Sequence, residues 1–212
     1  MKFNNRVNNA VPVIDPLKTA LLLLHWQKDI ATPEFKHSRN MPERLATAHT
    51  VEHTQAVLKA SRDNGVLVVY VNAAHRPGYP ELPANRAPIF QNVAVGGAHI
   101  RGSRDAEVID QLEPIDNEII ILNYNPSGFC YTDLDLILRN KGITDLVLSG
   151  LSTNWVVETT ARHGACLGYF IYSLEDCCNS HSDEMHNWSM KNILPRLGAV
   201  IDSAAYIAAL KG

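Results

Sequence analysis

The chain has 212 residues, 46% of them hydrophobic and 19% charged, with a formal net charge of −3. That size suits one α/β domain spanning 1–212 with a substantial core. The mild acidic balance, without a long lysine or arginine run, leaves no electrostatic case for binding nucleic acid or an anionic membrane.

No apolar stretch approaches the roughly 20 residues that span a bilayer, and Met1-Lys-Phe-Asn-Asn-Arg lacks the apolar core of a secretory signal. The expectation is a cytoplasmic protein. Its four cysteines, Cys130, Cys166, Cys177 and Cys178, form no CxxC pair and read as free thiols rather than a disulfide framework. Cys166 reads as a core residue, and Cys177-Cys178 as packing after a strand.

Strand-like and helix-like segments alternate along the chain. The strand candidates are Thr19–Leu24, Val66–Val71, Glu118–Leu122, Asp145–Ser149, Tyr169–Ser173 and a short Ala199–Ile201. Each is nearly all apolar rather than alternating, as expected of strands covered on both faces. Helical patterns lie between them. Pro42–Asn64 opens on a first-turn proline and stops at Gly65. Thr132–Asn140 carries Leu134, Ile137 and Leu138 on one stripe. Thr153–Cys166 stops near Gly168, Ser182–Leu197 opens with an N-cap serine followed by Asp-Glu, and Ser203–Leu210 closes the pattern. The expected architecture is a three-layer α/β/α, Rossmann-like domain with a mostly parallel six-stranded sheet.

Two connections are long, Trp26 to Met41 and Asn72 to about Arg104, and both leave the carboxyl ends of strands. Open α/β sheets place their ligand crevice at that edge, so residues remote in sequence meet there.

Three segments carry a resemblance. They are Thr19-Ala-Leu-Leu-Leu-Leu-His25-Trp-Gln27-Lys-Asp29; Ile119-Ile-Ile-Leu-Asn123 running into Ser127-Gly-Phe-Cys-Tyr-Thr-Asp-Leu; and Gly150-Leu-Ser-Thr-Asn-Trp-Val156 with Glu158-x-x-Ala161-Arg162. Together they resemble the isochorismatase-like cysteine hydrolases, which include nicotinamidases and ureidoacrylate hydrolases. The resemblance implies that three strand ends deliver an aspartate, a lysine and a nucleophilic cysteine. It puts His25, Asn123 and Val156 at those places, and a cis peptide bond at Leu151–Ser152. It also implies a small-molecule substrate, no cofactor, and a homo-dimer or homo-tetramer.

Those departures change the chemistry. Valine carries no nucleophile, so a covalent thioester at position 156 is excluded. Asparagine brings hydrogen bonds but no positive charge. Histidine, with an ordinary pKa near 6.5, both accepts and donates protons near neutrality. One reading is therefore a hydrolase of a small amide, ureide or vinyl ether, with His25 as acid or base and no covalent step. Gln27, His75, Ser152, Thr153, Asn154 and Trp155 then bind substrate. The other reading is a catalytically inactive homologue that binds a ligand or serves as a structural subunit. His25 and His75 end neighbouring strands, where nicotinamidases of this fold hold a metal with an Asp-x-His pair. Asn72-Ala-Ala-His75 lacks that spacing, and no metal is assigned. Cys130 reads as a helix-start or contact residue rather than a displaced nucleophile.

Overall fold

The computed structural model describes residues 14–82 and 87–210. Six strands form one parallel sheet: β1 (Thr19–Leu24), β2 (Leu67–Ala73), β3 (Ile119–Asn123), β4 (Asp145–Leu151), β5 (Phe170–Asn179) and β6 (Gly198–Ile201). Their order is β3-β2-β1-β4-β5-β6, so the chain winds outward in both directions from β1. The switch point lies between β1 and β4, whose carboxyl ends open the crevice.

The apolar run of β1 shows why it stands at the centre. All six residues are buried, and alternate side chains enter opposite layers. Leu21 and Leu23 join Val57, Leu58, Tyr206 and Leu210 on one face. Ala20, Leu22 and Leu24 join Leu134, Leu138, Val157 and Ala161 on the other. The first face is covered by α3 (Thr50–Asp63) and α8 (Ser203–Leu210), the second by α5 (Leu134–Asn140) and α6 (Glu158–Cys166). The short helices α1 (Lys28–Ala31), α2 (Met41–Thr47), α4 (Pro88–Gly96) and α7 (Asp183–Trp188) complete the described helices.

Several boundaries differ from the sequence pattern for local reasons. The helix expected over Pro42–Asn64 is broken in two because His49 adopts a left-handed conformation, φ 51°, between α2 and α3. The Ser182–Leu197 pattern starts as expected, with the Ser182 hydroxyl accepting from Met185 N at 3.2 Å. It then passes from α7 into a wide π turn at Ser189–Ile193 and a 3₁₀ turn at Leu194–Arg196. Pro195 falls inside that last turn, where it supplies no N–H. β5 continues to Asn179, beyond the expected Ser173, through a register shift opposite Leu148 and Gly150. The long connection after β2 is not structureless: Pro88 opens α4 and Gly97 closes it with φ 71°. Cys166 is exposed rather than in the core, while Cys177 and Cys178 are buried, and all four thiols are free.

Gly150 sets how closely β4 approaches β1 beneath the crevice. A Cβ there would lie 2.5 Å from the Leu24 carbonyl oxygen and 2.6 Å from Leu24 Cβ. The Leu24 backbone, held in the sheet between β2 and β4, cannot move aside. Gly150→Ala is expected to destabilise the fold by about 1–3 kcal/mol, the usual cost of overpacking, measured as a lowered urea midpoint with unchanged m-value. Wild-type stability in that variant refutes the close-approach argument.

Candidate active site

β1 ends abruptly where its chain turns. His25 takes φ 55°, a conformation uncommon for residues with a Cβ but enriched in histidine. Its amide remains tied to the sheet, donating to Val71 O at 2.8 Å. The next two side chains are committed to the scaffold. Trp26 is fully buried, and its indole N–H donates to Ser149 Oγ at 3.0 Å. Gln27 donates from Nε2 to Ala73 O at 2.8 Å and Ala106 O at 2.9 Å, while its Oε1 accepts from Ala73 N at 2.7 Å. Gln27, expected to bind substrate, is instead a buried clamp joining the end of β1 to the end of β2, because its amide groups are all engaged by backbone.

Asn123 ends β3, two strands from β1. Its side chain crosses the small residue Ala73 at the end of β2 and meets His25, with Nε2 and Oδ1 2.9 Å apart. The proton on that bond is fixed by the rest of the network. Asn123 Nδ2 donates to Asn125 O at 2.7 Å and Ser127 O at 3.3 Å, so Oδ1 must accept. His25 therefore carries its proton on Nε2, and Nδ1 is the ring's acceptor. Burial pushes the imidazole pKa down to about 4; the Asn123 bond opposes this and the neighbouring His75 reinforces it. His25 is neutral at pH 7.

These residues border a cavity of about 640 Å³ at the carboxyl edge of the sheet. His25, His75, Ser152, Trp155 and Val156 line it, together with Tyr124, Phe90 and Val93. Asn123 stands behind His25 rather than on the surface of the cavity. Val156 is 1% exposed and also belongs to the apolar cluster beneath α6. The Leu151–Ser152 peptide bond is cis, at the position the resemblance implies. Thr153 and Asn154, expected to touch substrate, point elsewhere. Thr153 Oγ1 pairs with His186 Nδ1 at 2.9 Å, and Asn154 Oδ1 accepts from Ser180 Oγ at 2.5 Å. Both fix the turn that carries Ser152, Trp155 and Val156. Cys130 does not line the cavity, and Arg76 pairs with Glu81 at 2.5 Å on the surface.

His75 is 3% exposed, its backbone held between His99 O and Arg101 N, and its ring lies 5.3 Å from that of Tyr79. Burial lowers its pKa as well. The Asp-x-His metal pair of nicotinamidases finds no match, since Ala73 stands two residues before His75. Sequence patterns missed His37, Arg39, His99 and His181, which also line the cavity. They arrive on the two long connections and on the segment after β5. The only available signal was the recurrence of histidine in loops leaving the carboxyl edge.

A Rossmann-like parallel sheet with a crevice at its switch point, mainly apolar but holding a few convergent polar groups and bounded by the turn after β4, defines a class of small-molecule-binding α/β domains. The chain matches the Isochorismatase domain family over residues 19–205 and belongs to that family. It is 32% identical to the ureidoacrylate amidohydrolase RutB of Acinetobacter baylyi, covering 91% of this chain and 83% of that protein. A cysteine hydrolase from Pseudomonas syringae pv. phaseolicola superposes with a TM-score of 0.84 at 27% identity, covering 94% of this chain and 95% of that one. N-carbamoylsarcosine amidase from Thermoplasma acidophilum superposes with a TM-score of 0.70 at 26% identity, covering 88% and 96%.

The protonation of His25 has a measurable consequence. Its folded pKa lies below the unfolded value of 6.5, so the unfolded chain binds more protons between those values. The His25 contribution to stability is expected to fall as pH drops from about 6.5 towards 4 and to level off below, while the Asp29 carboxyl, raised to about 7 by burial, contributes in the opposite sense over that range. His75 and His99, shifted the same way as His25, add to its slope. Urea titrations across that range, with His25→Gln, check this: the variant should show a shallower decline, and an identical slope would contradict the assignment. Long-range ¹H–¹⁵N correlation at pH 7 should show the His25 proton on Nε2.

Proposed function

We propose that this isochorismatase-family hydrolase cleaves a small polar amide, ureide or vinyl ether by direct attack of water, without a covalent enzyme intermediate. In this reading His25, Asn123 and Val156 stand at the positions where relatives carry aspartate, lysine and cysteine. The observation that supports it most is the His25–Asn123 bond. It leaves Nδ1 as a neutral acceptor for a water proton, and Asn123 orients the ring as a carboxylate does in other sites. The low pKa makes His25 a base rather than an acid at neutral pH. Val156 removes the thiol route.

The lining supports a substrate class. Among the described residues it contains Arg39 and five histidines but no carboxylate. Arg39 favours a substrate with a carboxylate or similar anionic group, to which neutral imidazoles offer N–H donors but no charge, and aromatic contacts from Trp155, Phe90 and Tyr124 suit a flat conjugated body. The expected setting is the cytoplasm, with a homo-dimer or homo-tetramer as the working form, which light scattering measures directly.

One observation favours the second reading, a ligand-binding homologue without turnover: Val156 packs as part of the core, as a residue with no chemical task would. Turnover assays separate the two. With a small ureido or amide carboxylate, His25→Ala should lower kcat/KM by at least about 10²-fold, the low end for loss of a general base. Iodoacetamide treatment should leave the rate unchanged. In the wild type, kcat/KM should fall as pH drops through about 4, where the base becomes protonated. Micromolar ligand affinity with no turnover across all three substrate classes establishes the binding module instead.

A further inference from the structure

A second polar cluster lies behind the wall of the same cavity, reaches its surface through His37 and His99, and takes no part in the His25–Asn123 arrangement. Asp29, in α1, is 0% exposed, and neither carboxylate oxygen has a hydrogen-bond partner. A buried carboxylate in that condition is costly. Two imidazoles face it. His99 Nδ1 stands 3.4 Å from Asp29 Oδ2 and His37 Nδ1 stands 3.6 Å from the same oxygen. Neither approach forms a hydrogen bond, and His99 Nδ1 is itself buried without a partner. Asp105 closes the group: donor atoms of Asp29, His99 and Asp105 lie within 4.8 Å of one another.

The spacing carries information. Donors about 2.1 Å from a common tetrahedral ion are separated by about 3.4 Å, the edge of that tetrahedron. The two imidazole–Asp29 distances are close to that edge and exceed a normal N–H···O bond, and Asp105 lies within reach of the same point. The backbone prepares the cluster as well. Asp105 Oδ2 accepts from His99 N at 2.9 Å, and His99 O accepts from His75 N at 2.7 Å. His99 is thereby pinned with its ring towards Asp29, while His37, on the more exposed side, provides a movable fourth position.

We propose that Asp29, His99 and Asp105, with His37 as a fourth donor, form a binding site for a divalent transition cation of the zinc type. Two imidazoles, which are borderline nitrogen ligands, beside two carboxylates in a four-donor set suit such an ion better than a large alkaline-earth cation, which takes six to eight oxygens. The set draws on the connection after β1 as well as the one after β2, and includes neither His25 nor His75. A cation held there would bring Lewis-acid chemistry to a wall of a cavity that has no thiol nucleophile. That use rests on the hydrolytic reading above; the binding site does not.

The test uses full-length protein prepared without a histidine tag, stripped with chelator and titrated with Zn²⁺ alone. Calorimetry should give one ion per chain, and the melting temperature should rise with added zinc. X-ray absorption at the zinc edge should report nitrogen and oxygen donors without sulfur. Asp29→Asn and His99→Gln should each weaken binding by more than the roughly 100-fold that loss of an outer partner costs, whereas His75→Ala should bind as wild type does. Asp29→Asn without metal should melt at or above the stripped wild type, since it removes an unpaired buried carboxylate; that keeps its loss of binding distinct from misfolding. Failure of the wild type to bind zinc at 100-micromolar order, full binding by Asp29→Asn, loss in His75→Ala, or sulfur ligation overturns the proposal. These readouts are independent of turnover, so an inactive protein that binds zinc refutes only the hydrolytic reading.

Discussion

The His25–Asn123 hydrogen bond is the constraint from which the character of the cavity follows. It joins the ends of two strands separated by β2, so it exists only because β2 ends in an alanine and because the sheet is parallel with all carboxyl ends on one edge. The Asn123 amide engages two backbone carbonyls on the loop after β3, and this determines which histidine nitrogen bears the proton. A single side-chain contact thus couples strand register, loop conformation and tautomer.

Around that bond the scaffold is apolar and closely packed, and the cavity wall is mainly apolar with a few convergent polar side chains. Trp26 and Gln27 illustrate the division. Both follow His25 directly, yet one enters the core and the other binds backbone on two neighbouring segments. Their rigidity allows His25 to hold a positive φ at the strand end. The turn after β4 is secured similarly: Thr153 and Asn154 are fixed by His186 and Ser180, which leaves Ser152, Trp155 and Val156 facing the cavity.

Burial has opposite consequences for the two kinds of ionisable group there. It drives His25 towards about 4 and His99 to about 3, so both imidazoles are neutral at pH 7, and it raises the Asp29 carboxyl to about 7. Neutral imidazoles are proton acceptors and metal ligands rather than cations. The polar part of the cavity surface is therefore neutral imidazole in the main, with Arg39 as a fixed positive charge.

The sequence by itself determined the layered architecture. Six apolar runs, with five helical patterns interspersed among them, point to a parallel sheet covered on both faces. It also located the edge where His25, Val156, Ser152 and Trp155 would gather, because strand ends are visible as abrupt changes from apolar to polar residues. What only the tertiary structure decided is which polar residues turn inward. Gln27, Thr153 and Asn154 have the same chemistry as true lining residues, but backbone groups and side chains remote in sequence claim their hydrogen bonds. Asp29 and His37 lie on the connection after β1 and His99 on the one after β2, with no shared period or spacing. Their approach depends on how the two long connections fold over one edge, which local sequence rules do not encode.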